Sequence, residues 1–228
     1  MKSIIYYTDN RLDEEITQRV QGQILKSGLP VVSCSLKPID FGKNIVLDLE
    51  RGPVTMVKQI LAALEASESP YVFFCEHDVL YHPSHFNFVP PNDNIFYYNT
   101  NVWRWDYSSN QVITYDHLRS LSGLCVYRDK ALEHFNKKMK TIIDKSYDKI
   151  PVTRNPSWAR KYGYEPGEKN GEKTEEWKSK FPNIDIRHKN TMTPRKMKIE
   201  DFIHRPTGWK ESIISELWPK EDFNKLKI

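Results

Sequence analysis

A chain of 228 residues has room for one α/β domain with a tail, or for a domain and a small subdomain. Its 39% apolar and 28% charged residues are the balance of an ordinary, slightly polar globular chain, and 12% aromatic residues is high. No run of eighteen apolar residues occurs, which excludes a transmembrane helix. The net charge of +4 gathers late, in Arg187-His188-Lys189 and Arg195-Lys196-Met197-Lys198. That pattern fits either a solvated surface or contact with phosphates.

The opening Met1-Lys2-Ser3-Ile4-Ile5-Tyr6-Tyr7 is too short and too polar for a signal peptide. Ser3 to Thr8 reads as a buried parallel strand feeding a loop on the ligand side of a sheet. Leu12 to Lys26 is predicted as a helix, with Ile16, Val20 and Ile24 spaced by four and Gly28 just beyond. Pro30 to Leu36 is a second strand, so the chain opens strand-helix-strand, the unit of a parallel sheet. Lys37 to Gly52 is mostly loop, with a short strand near Ile45-Val46-Leu47.

Thr55 is positioned to cap a helix from Met56 to Ala66, whose Val57, Ile60, Leu61 and Leu64 form one apolar face. Tyr71-Val72-Phe73-Phe74-Cys75 is the most hydrophobic strand, and Glu76-His77-Asp78 follows at once. Two strand-like runs, Ile95 to Asn99 and Gln111 to Tyr115, flank a polar loop carrying Trp103 and Trp105. Gly123 to Tyr127 is a further strand and Lys130 to Ile143 a helix. Lys145 to Gly171 reads as irregular, Thr174 to Lys180 as a short helix, Asn183 to Arg187 as a strand, and Glu211 to Leu217 as a final helix. Cys34, Cys75 and Cys125 each lie in an apolar run and read as reduced core residues, which favours a cytoplasmic protein.

The triplet Glu76-His77-Asp78 bears the most chemical information. Carboxylates beside five buried apolar residues need compensation for their charge. At the carboxyl end of a parallel strand they face the crevice where α/β folds bind ligands. Two residues apart on an extended chain, Glu76 and Asp78 share a side and suit Mg²⁺ or Mn²⁺. By the same alternation His77 should point away. A strand-end turn with solvated acids is the plainer alternative.

The region from Arg51 to Leu80 resembles the helix, strand and acid-x-acid metal motif of family 2-like glycosyltransferases of the A-type fold. Tyr7-Thr8-Asp9-Asn10 is similar to their opening nucleotide-binding strand end. Ser122 to Arg128 resembles a later strand and acceptor-side turn. Thr174-Glu175-Glu176-Trp177 followed by His188 is similar to their acidic base motif and late metal-binding histidine. The likeness runs in order from Met1 to His188, with Glu76 where Asp is commoner and Glu175-Glu176 in place of Glu-Asp.

The resemblance implies a Rossmann-like nucleotide-sugar transferase domain over 1–190, with a mixed, mostly parallel sheet flanked by helices. A basic, irregular C-terminal extension over 191–228 would pack on it. It implies a metal-dependent, inverting transfer of a hexosyl or pentosyl group from a nucleotide-diphosphate sugar to an acceptor hydroxyl. Asp78, Glu76 and His188 would hold Mn²⁺ or Mg²⁺, with His204 the rival for the histidine. Thr8, Asp9, Asn10, Arg51 and Glu76 would bind the donor, although Asp9-Asn10-Arg11 also reads as a simple turn. Glu176 or Glu175 at a helix start would take the acceptor's proton, or merely complement the helix dipole. Trp103 and Trp105 would stack on the acceptor, or else plug the core. His82 and His85 read as loop residues. The acceptor is a saccharide or, given the basic tail, a modified DNA base. A non-catalytic nucleic-acid-binding protein and a metal-dependent nuclease or nucleotidyl transferase are the alternatives.

Overall fold

The computed structural model describes residues 1–149, 165–191, 195–220 and 222. In chain order its first elements are β1 (Lys2–Thr8), α1 (Glu14–Leu25), β2 (Val31–Ser35), β3 (Lys43–Val46), α2 (Pro53–Ala66), β4 (Tyr71–Glu76) and β5 (Val79–Leu80). There follow β6 (Phe96–Asn99), β7 (Val102–Asp106), β8 (Val112–Thr114), β9 (Leu124–Tyr127), α3 (Arg128–Asp144), β10 (Thr174–Trp177), β11 (Asn183–Arg187) and β12 (Lys210–Ser212). A seven-stranded sheet runs β10-β6-β9-β4-β1-β2-β3. β3, β2, β1 and β4 are mutually parallel, and β9 enters antiparallel to both β4 and β6. This is the mixed, mostly parallel sheet flanked by helices that the sequence implies.

Alternation along the central strands divides the core in two. Ile4, Tyr6, Phe73 and Cys75 face α1 and the second sheet, whereas Ile5, Tyr7, Val72 and Phe74 face α2 and α3. Val72, Phe73 and Phe74 are fully buried, and each such side chain contributes roughly 1.5–3 kcal/mol. α1 starts where Asp13 accepts from the Glu15 backbone N–H at 3.0 Å. α2 starts at Pro53 rather than Met56, since proline fits the first helical turn. The Thr55 hydroxyl therefore donates to the Glu50 carbonyl (2.5 Å) instead of capping the helix. All three cysteines are free and buried.

A smaller sheet, β12-β8-β7-β11-β5, covers the α1 side. Two of three departures from the sequence reading lie in it. The tryptophan-bearing segment is not a loop but β7, paired parallel with β11 from Val102 to Asp106. The segment at 210–217 forms β12 and a 3-10 turn, not a helix. The C-terminal part is also built in: Trp218 is buried and donates to the Pro182 carbonyl at 2.8 Å. The third error lies in the main sheet, where Thr174–Trp177 is edge strand β10 on β6. So short a helix has no favourable nucleus, and an open strand edge satisfies the same backbone groups. The stretch read as irregular after Lys145 falls largely outside the described residues.

Candidate active site

β1 and β4 are adjacent and parallel, with Tyr7 beside Glu76, so their carboxyl ends open onto one crevice. A cavity of about 240 Å³ lies there. Thr8, Asp9 and Leu36 form one wall, and Arg51, Gly52, Pro53, Thr55 and Met56 around the start of α2 form another. Glu76, His77 and Asp78 lie at its floor, and Arg104, Asp185 and Arg187 reach it from the second sheet. Glu165, Asn190 and Thr191 also line it, as does the loop from Arg119 to Ser122. Gly123 lets that last loop approach the sheet, because a Cβ would meet the Asn99 carbonyl oxygen at 2.8 Å.

The two acids of the triplet do different things. Glu76 Oε1 accepts from the Tyr7 hydroxyl at 2.7 Å, and the Glu76 backbone N–H donates to the Tyr81 hydroxyl at 2.9 Å. Burial, then the neighbouring Asp78 charge, pushes the Glu76 carboxyl up to about 8. Burial opposes ionisation of Asp78 too, but the His188 contact and the fields of His77, His188 and Arg187 overcome it and hold its carboxyl low.

His188 Nε2 lies 3.4 Å from Asp78 Oδ2. The histidine follows β11, and a turn fixes it: its backbone N–H donates to Thr191 Oγ1 at 3.1 Å, and its carbonyl accepts from the Thr191 N–H at 3.1 Å. His77 corrects the sequence reading. Strand β4 ends at Glu76 and His77-Asp78 form a turn, so alternation stops there. His77, Asp78 and His188 each present a ligand atom, all within 4.8 Å of one another. Among the described residues this is the group that could hold a metal ion, and Glu76, engaged by Tyr7, is outside it. His188 Nε2 is shielded from solvent, and its 3.4 Å approach to Asp78 is not a hydrogen bond. His204 is exposed in the tail and takes no part.

Of the residues assigned to the donor, Thr8, Asp9, Arg51 and Glu76 line the cavity. Asp9 forms an ion pair with Arg51 Nε at 2.5 Å, and Arg51 also donates to the Asn190 carbonyl at 2.6 Å. Asn10 is a correction. At φ 57° its side-chain oxygen accepts from the Leu36 and Lys37 backbone N–H groups, so the amide fastens the loop after β2. The tail of β1 is thus part wall and part turn.

The acids expected to act as base are placed elsewhere. On the edge strand, Glu175 is exposed, and Glu176 pairs with Arg119 at 2.6 Å and His117 at 3.0 Å. Neither lines the cavity, whereas Glu165 and Asp185 do. Trp103 and Trp105 are also corrected. In β7 both turn toward the core, Trp105 at 3% exposure with its indole N–H donated to Asn110 (2.9 Å). Between them, Arg104 turns to the cavity beside Asp185. Period-two alternation in Trp103-Arg104-Trp105 was the available signal for that arginine. His85 is buried in the core, and His82 caps the 3-10 turn at Pro83–Asn87 by accepting from the Ser84 N–H.

No protein-family model matches the sequence, and no curated protein does. Solved structures do match. One is a glycosyltransferase involved in the glycosylation of the major capsid of PBCV-1, at TM-score 0.46 and 10% identity, covering 78% of this chain and 81% of that one. A second is the apo-form glycosyltransferase GlyE of Streptococcus pneumoniae TIGR4, at TM-score 0.41 and 9% identity, covering 65% of this chain and 40% of that one. A third is the bifunctional IspDF from Campylobacter jejuni, at TM-score 0.41 and 9% identity, covering 88% of this chain. The chain spans only 53% of that third protein. These likenesses concern the course of the backbone, and the function proposed below rests on the residues of the site.

Proposed function

We propose that this chain is a divalent-metal-dependent glycosyltransferase that takes its sugar from a nucleotide-diphosphate donor. The observation that carries the reading is the group His77, Asp78 and His188, two of whose members, His77 and Asp78, line a cavity at the carboxyl ends of parallel strands. Two imidazoles and one carboxylate suit Mn²⁺ better than Mg²⁺, which prefers oxygen ligands in an octahedron. Bound there, the ion would supply Lewis-acid charge against a leaving diphosphate.

The chain's own residues supply the rest. The start of α2, with Gly52 and Pro53 in the wall, offers the positive end of a helix to phosphate oxygens. Asp9, held by Arg51, is placed to accept from ribose hydroxyls, and Thr8 lies beside it. In an inverting transfer, the acceptor oxygen attacks the anomeric carbon while the bond to the diphosphate breaks. A carboxylate takes the hydroxyl proton. Asp185 or Glu165 is positioned for that role, since both face the cavity. The acceptor is a saccharide or a modified DNA base. A two-ion nuclease would need a second ligand group, and among the described residues only this one occurs.

Thermal shift with a panel of nucleoside diphosphates, with and without Mn²⁺, tests the reading. Stabilisation that requires metal and nucleotide together supports it. A flat response to every member of the panel defeats it.

A further inference from the structure

Arg104 is a cavity-wall guanidinium with few partners: the Tyr115 hydroxyl and, at longer range, Asp185. Its side chain is only 15% exposed, and its Nε and Nη1 are shielded from solvent without a hydrogen-bond acceptor. The Tyr115 ring covers the guanidinium at 5.4 Å, and Asp185 Oδ2 stands 3.7 Å from Nε, too far for a hydrogen bond. The same Asp185 is taken at 3.2 Å by Arg187. The side chain of Arg104 opens on the cavity. A mostly buried guanidinium that shares its one nearby carboxylate with Arg187 and presents its remaining edge to one cavity is suited to bind an anion there.

Position decides which anion. β5, β11 and β7 are successive strands of the second sheet, with Val79 beside Asp185 and Asp185 beside Arg104. Two strand spacings put the backbone of Arg104 roughly 10 Å from that of Val79, the residue after Asp78. A diphosphate held between Asp78 and the start of α2 would lie on the near side of that gap, which would leave Arg104 to a group further out on the transferred sugar or on the acceptor.

We infer that Arg104 recognises a second anionic group, a carboxylate or phosphate ester, on the transferred sugar or on the acceptor. This rests on the transferase reading and narrows its substrate class. Two binding comparisons in Mn²⁺ test it, using the base that the nucleoside-diphosphate panel selects. The first sets the nucleoside-diphospho-glucuronate against the nucleoside-diphospho-glucose. The second sets glucose 6-phosphate against glucose on the protein saturated with nucleoside diphosphate.

A preference of about tenfold or more for the anionic member, reduced to within about twofold by Arg104→Gln, supports the inference. The first comparison would assign the anion to the sugar and the second to the acceptor. Arg104→Lys, which keeps charge but loses the fork, should retain part of the preference. Should Arg104→Gln fail to fold, the wild-type ratios and the lysine variant still decide. Equal binding of anionic and neutral members in both comparisons, or a preference untouched by Arg104→Gln, overturns it. If no nucleoside diphosphate binds the wild type, the transferase reading itself falls and takes the inference with it.

Discussion

His188 Nε2 stands 3.4 Å from Asp78 Oδ2, joining the end of β11 to the turn after β4. The two segments are brought together by the second sheet, in which Ile184 and Asp185 pair with Leu80 and Val79. A pair anchored through a backbone ladder is pre-organised, so binding of the proposed metal need not reorder the chain.

Asp78→Asn and His188→Ala should each remove most of the stabilisation that Mn²⁺ confers. At about a hundred times the dissociation constant, a bound ion stabilises by roughly 2.7 kcal/mol. In a chain of this length that is a shift on the order of 5–10 °C in melting temperature. The free-ion resonance of Mn²⁺ reports occupancy independently of turnover. Glu76→Gln should perturb the resonance far less, because Glu76 is engaged by Tyr7. Wild-type occupancy in His188→Ala would remove that histidine from the ligand set.

Glu175→Gln and Glu176→Gln should leave turnover within a few-fold of wild type, since both acids stand on the edge strand outside the cavity. Loss of a true proton acceptor costs about 10²–10⁴-fold. Such a loss is expected for Asp185→Asn or Glu165→Gln, read as kcat at saturating donor. A hundred-fold loss in Glu176→Gln would return the base to β10.

Trp105→Ala should act on stability rather than on acceptor binding. The side chain is buried in the core shared by the two sheets, and truncation of a buried tryptophan costs about 3–5 kcal/mol. Chemical denaturation would show the loss, and Trp105→Phe should recover much of it. An unchanged unfolding midpoint with a raised acceptor KM would instead restore the indole to the binding surface.

The central strands and three helices were legible because burial dictates their composition. Tyr71 to Cys75 has no way to satisfy its side chains except inside a sheet. The triplet was legible for the converse reason, as acids where apolar residues should continue. His77 was misplaced because alternation holds only while the strand lasts, and the chain turns after Glu76. Trp103 and Trp105 were misread because polar neighbours suggested a loop. In a strand paired with β11 on one side and β8 on the other, those neighbours are simply the opposite face. Glu175 and Glu176 lie in a stretch too short for periodicity to speak, and their state is decided by the open edge of β6.

His85 should make the protein acid-sensitive in a defined window. It is fully buried, its ring stacks on Trp177 at 5.3 Å, and its Nδ1 faces the amides of Asn99 (3.0 Å) and Asn183 (3.2 Å). Burial lowers its pKa from 6.5 to about 3, so the folded protein holds it neutral. The unfolded chain takes up a proton below 6.5 and the native state does not until about 3. The stabilisation is therefore present above 6.5 and is lost as pH falls toward 3. The loss is on the order of 5 kcal/mol, a large share of the roughly 5–15 kcal/mol margin of a folded domain. His85→Gln keeps an acceptor for the two amides but does not titrate, so its stability should fall less steeply with acid even if it starts lower. Parallel denaturation curves for the two proteins between these pH limits would show that other groups set the acid limit.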